Sequence, residues 1–350
     1  MNRHYIGLDV HCQFTEFAVV SSCGRVTKRG RCATTIPALV EVIESVKRPR
    51  QVAFEEGPMA EWLYRSLLPH ADGVTVCEPR RNRWIAQEGE KDDPLDAAKV
   101  AQLLRGGYLK AVHHPESEHR SILKGHVSLY HDRVRQLVRT ANRIIAQFRS
   151  HGVVICEEDF ATRAQREQLL RRLPCDRLLH KDLQLLWESY DLAALQVEDL
   201  RRSLEQLGRN CEVLKRFQAV PGIGAVWAAT FYVYVDTPWR FRSKEALWKY
   251  MGIGLERRRS GNGPAQVRVP KCVNRRLKCM ILSAAQAAIH DLDSPFAAQY
   301  MRGRNAGLPH HSARRNVART LAATLWGMWK SGHQYHPEWV GRGCNGRSGQ

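Results

Sequence analysis

Three extended segments follow one another before any helix, and that order limits the fold more than any other feature of the chain. Tyr5-Ile6-Gly7-Leu8 reads as a buried strand ending at Asp9. Phe14 to Val20 is a second, and 25–33 a third, after a turn at Ser22-Cys23-Gly24. Pro37 then opens a helix to about Val46, and Val52-Ala53-Phe54 is a short strand that ends in Glu55 and Glu56. A helix over 59–68, a strand over Val74-Thr75-Val76-Cys77 and a short basic helix with Arg80, Arg81 and Arg83 complete the series. Three strands followed by alternating helices and strands is the order of an RNase H-like α/β domain. An aspartate after an Ile-Gly-Leu strand also occurs in actin-type ATPases, but no Gly-rich phosphate loop follows it here.

The next stretch, Gly-Glu-Lys-Asp-Asp-Pro-Leu-Asp-Ala over 89–97, carries three aspartates within five positions, Asp92, Asp93 and Asp96. Pro94 suits the first position of a helix, which makes Asp93 the N-cap and Asp96 the third helical residue. The apolar series from Leu95 to Leu104 continues that helix. The plain reading is an acid-rich helix start, which the helix dipole favours. The sharper one is a cation site, since two carboxylates on one turn repel and a divalent ion relieves the repulsion. An RNase H-like fold would bring Asp9 and Glu55 from their strand ends to Asp93 and Asp96.

The middle third is helical. Apolar or small residues recur at 127, 130, 134, 137, 141, 144 and 148, with a break at His151-Gly152. A second run takes in 183, 186, 190, 193, 197, 200, 204, 207, 211 and 214. Alternating steps of three and four over more than four heptads predict a helical hairpin or coiled-coil arm, with its partner helix in the same chain or in another subunit.

The last third opens with Val220-Pro221-Gly222-Ile223-Gly224 between two helices, the form of a helix-hairpin-helix. There Gly222 and Gly224 would let backbone amides approach a phosphate, or would serve only a tight turn. Trp227, Trp239 and Trp248 are interleaved with Arg240, Arg242, Lys244 and Lys249, a mixture that suits nucleic-acid stacking as well as a core. A Gly-rich loop then presents Arg257, Arg258, Arg259 and Ser260. Arginines can hold phosphate oxygens, and a hydroxyl beside them can attack phosphorus; a basic loop whose serine solvates a turn is the simpler alternative. Lys271 follows, then Arg275, Arg276 and Lys278 at the start of a helix that runs apolar to Ile289.

Charge supports a polyanionic partner. The net charge is +19, and from Lys215 onward 22 Lys and Arg face six Asp and Glu. The front 214 residues are nearly balanced. The ten cysteines form no Cys-x-x-Cys and no zinc-ligand spacing, so they read as reduced thiols of a cytosolic protein. Asp9 interrupts the short apolar run near the start, so no N-terminal signal peptide is expected, and no stretch has the length of a membrane span.

Taken in order, Tyr5-Ile6-Gly7-Leu8-Asp9, Phe54-Glu55-Glu56-Gly57, Asp93-Pro94-Leu95-Asp96-Ala97, Val220-Pro221-Gly222-Ile223-Gly224 and the Ser260-Gly261 loop resemble the insertion-sequence transposases with a DEDD motif, the bridge-RNA-guided recombinases. The resemblance implies a RuvC-type front domain whose acids Asp9, Glu55, Asp93 and Asp96 hold Mg²⁺, with Mn²⁺ as a substitute. It implies a rear domain whose nucleophile is Ser260, recombination through a covalent phosphoserine, and a guide RNA that pairs with donor and target DNA. It also implies a homo-oligomer, dimer or tetramer, and a bacterial cytoplasmic enzyme associated with the nucleoid when active. Two departures stand out. Glu-Glu-Gly replaces the family's Glu-x-Thr-Gly, which leaves Glu55 or Glu56 as the ligand, and Gly254-Leu255-Glu256 lacks the family's proline.

The expected organisation is a RuvC-like domain over 1–112 and a helical coiled-coil region over 113–214. A mainly α domain with the helix-hairpin-helix and the serine loop would span 215–335, and a tail 336–350. The competing functions are a RuvC-like structure-specific nuclease without serine chemistry and a non-catalytic nucleic-acid-binding protein.

Overall fold

The structure is a computed structural model that describes residues 3–78, 93–115, 117–258, 266–268, 270 and 272–340, with backbone alone for 93–95, 257–258, 266–268 and 339. The chain divides into two compact units, Met1–Ser121 and Ile122–Gln350.

The front unit begins with β1 (His4–Val10), β2 (Phe14–Ser21) and β3 (Val26–Ala33). Next come α1 (Ile36–Glu44), β4 (Arg50–Glu55), α2 (Ala60–Leu67), β5 (Gly73–Cys77) and α3 (Asp93–Gly106). The sheet order is β3-β2-β1-β4-β5. β1 pairs antiparallel with β2 and parallel with β4, and β4 pairs parallel with β5, so the sheet is mixed, as an RNase H-like domain requires. Alternation along each strand sorts its two faces. Ile6, Leu8, Phe17, Val19, Val52 and Phe54 pack on one face with Leu39 and Ile43 of α1 and Leu63 and Leu67 of α2.

The other face is built from small residues, and α3 lies on it. Gly7 pairs with Ala18 on one side and Ala53 on the other, and Ala18 clusters with Ala97 and Ala98 of α3. A Cβ on Gly7 would stand 2.1 Å from the carbonyl oxygen of Ala97 and 2.6 Å from the nitrogen of Ala101. Gly7 therefore lets the helix backbone rest directly on the strand. The amide of Gln102 fastens the same helix to the β2–β3 turn by donating to the carbonyl of Gly24 at 2.6 Å. Beyond α3 the chain returns along β5, where Val112 N donates to Val76 O at 2.8 Å.

The rear unit contains most of α4 (Glu118–Ser150), then α5 (Arg163–Leu170), α6 (Arg177–Asn210), α7 (Glu212–Gln218), α8 (Ala225–Val235) and α9 (Lys244–Tyr250). The hairpin β6 (Glu256–Arg258) and β7 (Gln266–Arg268), α10 (Arg275–His290), α11 (Pro295–Asn305) and α12 (His310–Ser331) follow. Helices α4 and α6 run antiparallel, each about 50 Å long. Ala141, Ile144 and Phe148 near the end of α4 pack with Leu183 and Trp187 near the start of α6. Leu123 and Val127 of α4 and Leu204 of α6 join the other core. Residues of both heptad runs are thus buried in the rear unit's cores, and the second run extends past the end of α6. The helix stops at Asn210, Cys211 is extended, and Leu214 belongs to α7. Gly208 and Asn210 are weak helix formers, which accounts for the stop.

The rear core gathers around α8, whose Phe231, Val233 and Val235 are buried. Phe217, Phe231 and Trp329 meet edge to face or tilted at 5.4–6.3 Å. Tyr335, beyond α12, lies 6.5 Å from Phe296 and packs on the rear core. Among the described residues, no helix is long and apolar enough to cross a membrane. The expected basic helix at Arg80, Arg81 and Arg83, together with Asp92, Arg259, Ser260 and Lys271, lies outside the described residues.

Candidate active site

The acids come together because of strand parity and the small-residue face. Asp9 stands two residues beyond Gly7, hence on the α3 side of β1, and Glu55 stands two beyond Ala53 on β4. α3 brings Asp96 to the same edge, its carboxylate one residue before the Ala97 carbonyl that Gly7 accommodates. The carboxyl of Glu55 is held above its ordinary range, first by partial burial and then by the negative charges of Asp9 and Asp96. Three of the four acids of the sequence pattern therefore share one electrostatic neighbourhood. Asp93 is the first residue of α3, with its backbone described and its side chain not.

Each outlying carboxylate carries a cationic or potentially cationic neighbour. Lys99 Nζ is 3.2 Å from Asp96 Oδ1, one turn along α3. His11 Nε2 is 3.2 Å from Asp9 Oδ2, and its ring lies 4.7 Å from that of Phe14. Glu56 has a separate engagement. Its Oε2 is 2.7 Å from Nε2 of His114, whose side chain is only 4% exposed and packs 5.6 Å from the Tyr64 ring.

One further acid belongs to this edge and was absent from the sequence pattern. Glu16 is the register partner of Asp9 on β2, it is 5% exposed, and Arg31 Nε donates to its Oε1 at 2.5 Å. The Arg31 guanidinium also stands 4.2 Å from the centroid of the Phe14 ring. The available signal was an acid interrupting the apolar strand Phe14 to Val20; its closeness to Asp9 required the register.

Carboxylate oxygens are the hard donors that divalent cations such as Mg²⁺ take. The charge repulsion at Glu55 is of the kind such an ion relieves, so the donor set fits. Among the described residues, no three His, Cys, Asp or Glu side chains already surround a common point. The described part of the set is open.

In the rear unit Gly222 has φ +81°, and a Cβ there would lie 2.3 Å from Ala284 O and 2.9 Å from Ala288 N. This glycine seats the turn against α10. Gly224 is the N-cap of α8, and a Cβ there would meet nothing within 4 Å. Arg257 and Arg258 form part of β6, and Ser260 falls in the β6–β7 connection outside the described residues. Arg275 is exposed and Lys278 half-buried at the start of α10. Arg276 is engaged within the fold. Its Nη2 donates to Asp132 Oδ1 at 2.9 Å and its Nη1 to Ser128 Oγ at 2.6 Å, and it also bonds the Tyr234 hydroxyl.

A mixed five-stranded sheet with carboxylates gathered at the ends of its central strands, beside a helix that begins with two more, defines the front unit as an RNase H-like domain of the DEDD class. The comparisons with known proteins agree. A transposase model of the DEDD, IS110 type matches residues 6–152, and the model described as "Transposase IS116/IS110/IS902 family" matches residues 214–301. The chain belongs to this family of DEDD insertion-sequence transposases. It is 26% identical over 205 residues to the "Insertion element IS116 uncharacterized 44.8 kDa protein" of Streptomyces clavuligerus, over 59% of this chain and 47% of that protein. It is 22% identical over 291 residues to the "Putative transposase y4qE" of Sinorhizobium fredii (strain NBRC 101917 / NGR234), over 80% of this chain and 70% of that one. The match thus spans about half the length of the first relative. Domains of the DEDD type generally use divalent metal ions.

Proposed function

We propose that the protein is the transposase of an insertion sequence, which cuts and rejoins donor and target DNA through a covalent phosphoserine, guided by a bridge RNA. The observation that carries the reading is the meeting of Asp9, Glu55 and Asp96 at the edge where α3 meets the sheet, where burial first and then the charges of Asp9 and Asp96 raise the carboxyl of Glu55. Asp9, Glu55, Asp93 and Asp96 are assigned as ligands of Mg²⁺, or Mn²⁺ in its place. Glu55 is preferred to Glu56 because Glu56 is already occupied by His114. A divalent ion bound there would supply neutralisation of the scissile phosphate.

The protein's own groups do the rest. Ser260 loses its proton to a general base, and its Oγ bonds phosphorus as the bond from phosphorus to the leaving DNA oxygen breaks. The departing oxygen takes up a proton. The phosphodiester energy stays in the serine ester, so a DNA hydroxyl can reverse the step and rejoin strands without ATP. Arg257, Arg258 and Arg259 stabilise the pentacovalent phosphate. The amides at Gly222 and Gly224, with Lys271, Arg275 and Lys278, hold phosphates of the nucleic acid, while Arg276 fixes α10 to α4 and acts on that surface indirectly. The assembly is a dimer or tetramer. Support for a coiled-coil contact between subunits comes from Leu178, Leu185 and Leu192, seven residues apart on α6 and all exposed.

Ser260→Ala tests the reading. The variant is expected to bind DNA but to form no protein–DNA adduct on a denaturing gel and to join no strands. Metal-dependent cutting at the wild-type rate without Ser260 would replace the serine mechanism with a plain nuclease.

A further inference from the structure

The rear unit presents one tryptophan unlike its neighbours. Trp248 and Trp326 are half-buried, and each indole N–H is satisfied, by Arg319 O at 2.9 Å and by Pro238 O at 2.7 Å. Trp239 is 72% exposed. It is carried on the short 3-10 turn Pro238–Arg240, and the residues on either side are fixed. Pro238 is buried and bonded to Trp326, and Thr237 Oγ1 caps the turn by accepting from Trp239 N at 3.4 Å. Arg240 Nη1 donates to Tyr234 O at 3.0 Å, and its guanidinium stands 4.5 Å from the Tyr250 ring centroid. The mount is rigid and the ring is left in water. Lys330 completes the arrangement, with its ammonium 3.9 Å from the Trp326 ring centroid and 5.0 Å from that of Trp239.

We propose that Trp239, with Lys330 against it, is a stacking platform for an unpaired base of single-stranded nucleic acid. The inference rests on the reading of the rear unit as the DNA-handling half and adds the strand form that it takes. An indole is a large apolar face that accepts any base, and a rigid mount lowers the entropy lost when a base settles on it. The cation over one face of the ring leaves the other face for a base and favours a ligand that brings a phosphate with its π-face. The excess of Lys and Arg after residue 215 favours the same ligand, and an apolar protein partner would have to strip Lys330 of water for no return. Bases inside a duplex are already stacked on each other, so the platform selects unpaired ones.

The test uses the full-length protein and fluorescence anisotropy with labelled single-stranded DNA, single-stranded RNA and a DNA duplex of the same sequence. Trp239→Ala should weaken single-strand binding roughly 5- to 150-fold, the range for loss of one base–aromatic stack, and leave duplex binding within about twofold. Trp239→Phe should keep most of the affinity. Lys330→Gln should reduce the slope of log affinity against log salt by about one. The DNA and RNA arms identify which strand uses the platform. Equal losses for single strand and duplex, or none for either, would overturn the inference while leaving the transposase reading intact. So would a change of oligomeric state in sedimentation with unchanged single-strand affinity, which would make the ring a contact between copies. Failure of the wild-type protein to bind any of the three would remove both readings.

Discussion

Gly7→Ala is the sharpest perturbation of the front unit. The added methyl carbon would stand 2.1 Å from Ala97 O and 2.6 Å from Ala101 N, where a carbon in a real structure stays beyond about 3 Å. Both atoms are helix backbone, so no rotamer change relieves the contact, and α3 must leave the strand by roughly 1 Å. Overpacking of this kind costs about 1–3 kcal/mol. The shift also carries Asp96 away from Asp9 and Glu55, and a displacement near 1 Å at a reacting centre is worth on the order of a hundredfold in rate. Urea unfolding should give the stability loss, and titration with Mn²⁺ followed by electron paramagnetic resonance should show weaker metal uptake. Because the obstruction is backbone, Ala97→Gly added to Gly7→Ala should not restore either quantity. A Gly7→Ala protein with wild-type stability and wild-type Mn²⁺ affinity would refute the claim that this glycine sets the position of α3 and thereby the site.

Three further outcomes follow from the same geometry. Glu55 has a raised pKa in the folded state, so its ionised form is a cost above that pKa; Glu55→Gln should raise the melting temperature of metal-free protein at pH 7, show little effect near pH 4, and abolish the stabilisation that Mg²⁺ gives the wild type. His131 is held down to about 4, first by burial and then by the charge of Arg276, while its ring accepts or donates at 2.9 Å to Thr230 Oγ1. Its contribution is complete above pH 6.5 and is lost as pH falls towards 4, at no more than about 1.4 kcal/mol per pH unit and less after solvent screening of a part-exposed ring. His131→Gln should flatten that limb of the melting-temperature profile, and an unchanged slope would dismiss the assignment. Gly222→Ala combines a left-handed backbone with a contact of 2.3 Å to Ala284 O, so it should destabilise the rear unit by roughly 2–4 kcal/mol in urea before any DNA is added.

That last variant also marks where the sequence stops being readable. Order and periodicity carried the elements, because period-two strands and three-four helices write their burial directly into the residue pattern, as with Ile6 and Leu8 against Gly7 and Asp9. Choices that depend on a distant partner left no local trace. Glu55 and Glu56 are equivalent as neighbours at a strand end, and what separates them is His114, 58 residues later. Arg276 looks like any basic residue at a helix start until Asp132, 144 residues earlier, is placed beside it. Glu16 became a neighbour of Asp9 only through the β1–β2 register. Gly222 reads as a phosphate-loop glycine, yet the absence of a side chain there also admits the backbone of α10. The two roles are compatible, because a turn pressed onto α10 holds its following amides in one orientation. Binding assays on Gly222→Ala therefore need the stability measurement first, and Gly224, whose missing Cβ would touch nothing, is the cleaner probe of the amides. If Gly224→Ala keeps both its stability and its DNA affinity, the turn is a packing device and the phosphates must be held elsewhere on the rear unit.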